Sequence, residues 1–387
     1  TTIILLKKSQ FIVFLTVVLT VYTAVNYYIF TTGLSAIPQN YRAAYTAAYL
    51  FLFLSYIAGR FLERKFPNAV STFFVWVGSF WLGAMVYYLL FTILIDLVRL
   101  ANLVFRFLPA EFYSEEYKLL SFVLVNISVV LIVLSGYLNA RIPVIKKLNI
   151  TINKKAGELK NLKIAAASDI HLGTIIAKRS MRRIVEKINS IDADIVLLPG
   201  DVVDEDIGPV IKRNLGEFIT NIKSKYGVFA ITGNHEYIGG AEAACSYLEA
   251  HGIVELRDRY VKIAESFYVV GREDRASKGF AGILRKPMAE LMSGIDSSLP
   301  VILMDHQPVH LNEAEKFGVD LQLSGHTHHG QLWPFNFITK KIYEVSMGYK
   351  KKGNTHIYVS CGVGSWGPPI RTGNRPEILE IDIQFKQ

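Results

Sequence analysis

Five short motifs bring acidic, amide and imidazole side chains together in one order: Asp169-Ile170-His171, Gly200-Asp201, Gly233-Asn234-His235-Glu236, an isolated His306, and Gly325-His326-Thr327-His328. Oxygen and imidazole nitrogen are the donors that divalent first-row metals accept. Four histidines among the seven donors Asp169, His171, Asp201, Asn234, His306, His326 and His328 disfavour calcium and magnesium, and there is no thiolate. The set suits two divalent metal ions, Mn, Fe, Zn or Co, with availability deciding as much as affinity.

Spacing narrows the roles. Asp169 and His171 flank one residue at the end of an apolar run, so strand alternation predicts that both reach one ion. Gly200 permits a sharp turn before Asp201, whose two carboxylate oxygens can bridge two ions. Asn234 offers a neutral carbonyl oxygen. His326 and His328 also flank one residue and are expected to point one way.

This constellation resembles the calcineurin-like metallophosphoesterase superfamily over roughly Leu159 to Phe385. The run Ser324 to Leu332 and the closing Arg375-Pro376-Glu377-Ile378 look most like a bacterial branch often found at membranes. The resemblance implies a dinuclear centre that hydrolyses phosphomonoesters, phosphodiesters or pyrophosphates. It gives one metal to Asp169, His171, Asp201 and His328, and the other to Asp201, Asn234, His306 and His326. Ions about 3.5–4 Å apart would clamp a phosphoryl group, and a bridging hydroxide would attack it. His235 resembles the catalytic residue that stabilises the phosphorane-like state or protonates the leaving group. Glu236 and Asp305 would orient imidazoles or serve as capping and surface residues. His329, Arg371 and Arg375 are candidate substrate contacts. The two arginines would grip a phosphate bidentately or lock the C-terminal strand. The acidic run Asp204-Glu205-Asp206 reads as a solvated loop.

Positioning these donors takes strands that end in loops. Apolar β-type runs at Lys163–Ala167, Asp194–Leu198, Val228–Thr232, Phe267–Val270, Val301–Met304, Leu321–Leu323, Ile357–Ser360 and Ile378–Ile383 are interspersed with helical patterns at Arg179–Asn189, Val210–Ile222 and Ala241–Ala250. That alternation predicts an α/β domain. The resemblance implies two facing mixed sheets flanked by helices, with the metal ligands at the strand ends.

Ahead of this domain lie four charge-free stretches, Ser9–Tyr41, Ala43–Gly59, Phe66–Ile95 and Leu119–Ala140. About 20 apolar residues cross a hydrocarbon core, which predicts a four-span transmembrane helical bundle. The organisation expected is 1–140 membrane domain, 141–160 basic linker and 161–387 metallophosphoesterase catalytic domain. Asp96–Phe107 is amphipathic, lying in the interface or continuing span three. Lysines and arginines before span one, between spans two and three, and after span four predict cytoplasmic termini and a cytoplasmic catalytic domain in the cell (inner) membrane.

Residues 1–150 hold 12 Lys/Arg against 5 Asp/Glu, and residues 151–387 hold 30 against 28. The basic excess thus belongs to the membrane part, and nucleic acid is excluded as a partner. Cys245 and Cys361 give no disulfide framework. Trp333 to Gly353 mixes Trp333, Phe335, Phe337, Tyr343 and Tyr349 with five lysines. It reads either as a face for an amphiphilic phosphorylated lipid or as a solvated hairpin. The function expected is a membrane-integrated phosphohydrolase whose partners are membrane lipids and a phosphorylated, lipid-linked substrate. Sugar-nucleotide lipid pyrophosphatases belong to the same superfamily. The alternatives are a phosphodiesterase for a soluble substrate and a membrane sensor or scaffold with a vestigial site.

Overall fold

The computed structural model describes the backbone of residues 2–386 and the side chains of residues 12, 13 and 15–386. Two compact units divide the chain, Thr1–Leu134 and Ser135–Gln387.

The first unit holds helices α1 (Thr2–Ala36), α2 (Arg42–Lys65) and α3 (Ala69–Phe105) and most of α4 (Glu115–Ala140). All four are long and apolar enough to cross a membrane. Asn68 starts α3 through a capping box: its side chain accepts from the Val70 and Ser71 amides, while the Ser71 hydroxyl accepts from the Asn68 amide. Arg106, in the left-handed conformation with φ 50°, stops it just before Pro109. The amphipathic stretch Asp96–Phe107 is therefore the continuation of the third span. Asn26 is the polar centre of the bundle. It accepts from Trp81 Nε1 at 3.0 Å and, through its backbone carbonyl, from Tyr49 Oη at 2.8 Å. These bonds join α1, α2 and α3 where water is absent and polar groups need partners.

The second unit contains twelve strands: β1 (Val144–Ile152), β2 (Asn161–Ala166), β3 (Ile195–Leu198), β4 (Val228–Ala230), β5 (Ile253–Glu255), β6 (Arg259–Ile263), β7 (Phe267–Gly271), β8 (Val301–Met304), β9 (Leu321–Ser324), β10 (Gly348–Lys352), β11 (Thr355–Val359) and β12 (Glu377–Phe385). One sheet has the order β1-β12-β2-β3-β4-β5 and the other β10-β11-β9-β8-β7-β6. Both are mixed: β2, β3, β4 and β5 run parallel, as do β7, β8, β9 and β11, while β12 opposes β2, β6 opposes β7 and β10 opposes β11.

Alternation along each strand explains the layers. Leu162, Ile164 and Ala166 of β2 pack with Ile302, Met304, Leu321 and Leu323 of the other sheet, whereas Ala165 faces a helix layer containing Met181, Ile184, Val185 and Ile188. Tyr268, Val270, Val301 and Leu303 turn outward beneath Met288, Leu291 and Ala314. The result is helix, sheet, sheet, helix.

Three expectations need correction. Residues 141–160 are not a linker, because Val144–Ile152 forms β1, paired in parallel with β12 from Val144↔Glu377 to Ile152↔Phe385. Lys146 and Lys147 hid it, being exposed residues on an edge strand whose Ile150 and Ile152 are buried. The helix expected over Val210–Ile222 is two short helices, Gly208–Lys212 and Gly216–Ile219, broken where Asn214 takes φ 50°. The segment Trp333–Gly353 is a hairpin only in its second half, where β10 pairs antiparallel with β11, and its first half forms a helix, Phe335–Ile342.

Candidate metal centre

Every candidate ligand follows the carboxyl end of a strand, and all these strands run parallel within their sheets. Asp169 and His171 follow β2, Asp201 follows β3, Asn234 follows β4, His306 follows β8, and His326 and His328 follow β9. Left-handed backbone, and not strand alternation, sets the direction of four of them. Asp169 and His171 lie beyond the strand, at φ 54° and 53°, so strand alternation does not aim them. His326 and His328, at φ 71° and 44°, do not point one way: they join different groups. Asp201 shares the left-handed conformation at φ 51°. Non-glycine residues take it at a cost of order 1–3 kcal/mol, and such strain concentrates at functional sites.

One group contains Asp169, His171 and His328, and another contains Asp201, His306 and His326. His171 Nε2 lies 3.0 Å from His328 Nε2, and His328 Nε2 lies 3.5 Å from Asp169 Oδ1. Across the centre, His306 Nε2 is 3.1 Å from Asp201 Oδ2, and His326 Nδ1 is 2.7 Å from Asn234 Oδ1. Asp201 Oδ2 is also 4.0 Å from His171 Nε2, so a single oxygen faces both groups.

The backbone is stitched around these side chains. The His326 amide donates to Asp169 Oδ1 at 2.9 Å and the His235 amide to Asp201 Oδ1 at 2.9 Å. His306 Nδ1 donates to the Pro199 carbonyl at 2.8 Å, which turns Nε2 toward Asp201. Glu236 is a backbone clamp, accepting from the amides of Asp201 (3.2 Å), Val203 (2.8 Å) and Gly233 (2.8 Å). Asp305 meets Arg272 and Arg285 at 3.2 and 2.8 Å. In these contacts neither acid orients an imidazole. Gly233 and Gly325 are required by closeness, since a Cβ on either would overlap the carboxylate of Asp201 or Asp169.

A metal fits this donor set. Asp169 Oδ2 is buried without a hydrogen-bond partner, an arrangement that proteins avoid unless something else satisfies it. Two imidazole nitrogens face each other at 3.0 Å in one group. Nitrogen and oxygen donors without thiolate match borderline divalent ions.

Charge coupling is strong. Burial alone would raise the Asp201 carboxyl, but the His306 ring holds it well below the usual carboxylate range. Burial alone would lower His306, and Asp201, first by charge and then by hydrogen bonding, raises it well above the usual imidazole range. Burial lowers His326 to about 3, helped by the His306 charge, and burial followed by His171 and Arg371 lowers His328.

The calcineurin-like phosphoesterase family matches residues 162–330, the stretch that carries all seven candidate ligands. An uncharacterised metallophosphoesterase of Aquifex aeolicus is 32% identical over 227 residues, covering 58% of this chain and 86% of that protein. The chain belongs to the calcineurin-like phosphoesterase family. An uncharacterised metallophosphoesterase of Helicobacter pylori strain J99 is 38% identical over 217 residues, and that match covers 55% of this chain and 57% of that protein. The chain thus spans less than three-fifths of the Helicobacter protein's length. A Danio rerio transmembrane protein with metallophosphoesterase domain is 28% identical over 351 residues, covering 86% of this chain and 79% of that protein. That alignment is too long to lie within Ser135–Gln387 alone and reaches into the apolar helices. Family membership brings metal dependence with it, and the four apolar helices make the chain a membrane protein.

Within this phosphoesterase domain, His235 is 5% exposed, and its ring centroid lies 4.6 Å from that of His171 and 5.7 Å from that of Trp366. Asp204, read from sequence as part of a solvated loop, instead turns inward: its Oδ1 is 3.2 Å from His235 Nδ1 and 3.7 Å from His171 Nδ1. Burial would raise this carboxyl, yet His171 and His235 hold it far below its ordinary range. The acidic run looked soluble because nothing in its composition shows that the Leu172 amide pairs with the Val202 carbonyl and the Asp204 amide with the Leu172 carbonyl, which draws the loop onto the centre.

The three candidate substrate contacts fall differently. His329 is buried, with Nδ1 3.0 Å from Ser346 Oγ. Arg371 is fully buried and donates to the Gly364 carbonyl, Asn374 Oδ1 and His328 Nδ1, the last at 3.1 Å. It sits against the back of a candidate ligand, and none of these partners lies on the C-terminal strand β12. Arg375 is exposed.

Proposed function

We propose that this chain is a membrane-integrated, dinuclear metal-dependent phosphohydrolase acting on a lipid-linked phosphoester or pyrophosphate, with its catalytic unit in the cytoplasm. The carrying observation is Asp201, whose Oδ2 faces His306 Nε2 at 3.1 Å and His171 Nε2 at 4.0 Å and so lies between two groups of donors. Bound there, two divalent ions of the Mn, Fe, Zn or Co type would polarise the phosphoryl oxygens and supply an activated hydroxide. Asp169, His171, Asp201 and His328 hold one position, and Asp201, Asn234, His306 and His326 the other. Asp204 Oδ1 faces His235 Nδ1 at 3.2 Å, so its charge favours a protonated ring and leaves Nε2 to hold the proton that a departing oxygen takes.

The lipid reading is supported by the helix Phe335–Ile342, which begins five residues after Gly330. Phe337, Ile338 and Ile342 are 57%, 53% and 66% exposed, with Trp333 alongside. Tyr343, at its end, lies 6.1 Å from the His326 ring. An exposed apolar face of this kind in a membrane protein suits an acyl chain or the bilayer surface. Two of the five lysines expected to serve that face are engaged elsewhere: Lys350 and Lys352 both pair with Glu344 at 2.9 Å.

The test compares wild type with Phe337→Ser/Ile338→Ser on a lipid extract and on a soluble chromogenic phosphodiester. A raised KM on the lipid substrate alone is expected. Equal loss on both, or turnover of the soluble ester only by wild type, contradicts the lipid assignment.

A further inference from the structure

A cavity of about 240 Å³ lies inside the helical unit, at the end formed by the α1–α2 and α3–α4 connections. Its wall is mostly aromatic and aliphatic, with Tyr49, Trp81, Tyr88 and Phe122 contributing rings. Tyrosine and threonine hydroxyls of that wall are engaged within the bundle. Tyr49 Oη donates to the Asn26 carbonyl, Tyr88 Oη to Asn126 Oδ1 at 2.8 Å, and Thr92 Oγ1 to the Tyr88 carbonyl at 2.8 Å. The interior therefore offers ring faces and hydrocarbon to an occupant.

Two cations line the same cavity, Arg99 from α3 and Lys118 from α4. Their acidic neighbours stand outside it: Asp96 Oδ1 is 3.4 Å from Arg99 Nη1 and Glu115 Oε1 is 2.7 Å from Lys118 Nζ, yet neither carboxylate lines the wall. Positive charge at the end of an apolar slot matches a molecule with an anionic head and a hydrocarbon tail. Ionisable side chains that face the inside of a transmembrane bundle mark ligand sites more often than structural ones.

We infer that this cavity binds one anionic amphiphile, its headgroup between Arg99 and Lys118 and its chain among Tyr49, Trp81, Tyr88 and Phe122. The site is separate from the metal centre and does not depend on the reaction proposed for it. The full chain, purified in detergent and exposed to phosphatidylglycerol or phosphatidylcholine vesicles, is examined by native mass spectrometry. Retention of one phosphatidylglycerol per chain is expected, with phosphatidylcholine held far less. Arg99→Gln/Lys118→Gln should lower the affinity by roughly thirtyfold, given about one basic side chain's worth of attraction from each. Ala48→Trp, which fills the slot and keeps both cations, should abolish retention, and it decides the matter if the double variant does not fold. Equal retention of the two lipids, wild-type occupancy in Ala48→Trp, or displacement of the lipid by millimolar inorganic phosphate overturns the inference.

Discussion

Asn139 and Arg371 tie the last turn of α4 to the loop behind a candidate metal ligand. Asn139 Nδ2 donates to the Arg371 carbonyl at 2.9 Å and to the Asn374 carbonyl at 2.8 Å, and the Arg371 amide donates to the Gly136 carbonyl at 2.9 Å. Arg371 in turn reaches His328 Nδ1 at 3.1 Å, and Asn374 Nδ2 donates to the His328 carbonyl at 2.5 Å. The helix end and the ligand therefore share one hydrogen-bonded loop. Arg371→Lys keeps a charge but loses the fork that serves Gly364, Asn374 and His328 together. It should lower metal affinity by about 10–100-fold, the usual size for a group supporting a ligand. Asn139→Ala should act in the same direction more weakly, and the two losses should not add. Metal titration of the single and double variants checks this.

His235 and Asp204 should separate from the ligands in their effects. His235→Ala is expected to keep metal content and lose about 10²–10⁴ in kcat, the range of acid–base assistance. Asp204→Asn leaves the imidazole present but loosely oriented, so a smaller loss in kcat with unchanged metal is expected. Elemental analysis beside steady-state kinetics reads both. Metal loss in His235→Ala would make His235 a ligand.

Glu255 on β5 gives a stability signature away from the centre. Burial, then the charges of Glu236 and Glu249, push its carboxyl up to about 8 against the partial relief of Arg257, and its Oε2 lacks a hydrogen bond. The folded state therefore holds a proton that the unfolded state releases near the ordinary carboxylate value. Stability conferred by that proton is complete at low pH and falls as pH rises toward 8. Glu255→Gln, which stays neutral, should match wild type near pH 5 and melt higher above pH 8, by about 2–4 °C per kcal/mol for a domain of this size. Parallel melting curves at the two pH values check it.

Orientation follows from the lysines and arginines beside the spans. A cysteine introduced at the exposed Glu158 should resist a membrane-impermeant thiol reagent in intact cells and react after lysis. The native Cys245 and Cys361 are buried and give little background. Labelling in intact cells would place this unit outside.

Much of the architecture was legible because single residues announced it. The strands that precede ligands, such as Val301–Met304, are short apolar runs buried on both faces and read directly from composition. Edge strands were missed, because Lys146 and Lys147 on β1 and Lys350 to Lys352 on β10 meet water and carry little apolar signal. Donor identities were legible through their spacing, but their directions were not. His326 and His328 diverge through left-handed backbone that no side-chain pattern encodes. Asp204 and Arg371 reach the centre by loop hydrogen bonds spanning long stretches of sequence, which spacing cannot show.

The shared carboxylate is the central claim, and metal content per chain in Asp201→Asn against wild type tests it most directly. Removing one oxygen anion that faces both His171 and His306 should lower occupancy of both positions and abolish hydrolysis together. Wild-type metal content with wild-type turnover in Asp201→Asn would contradict it.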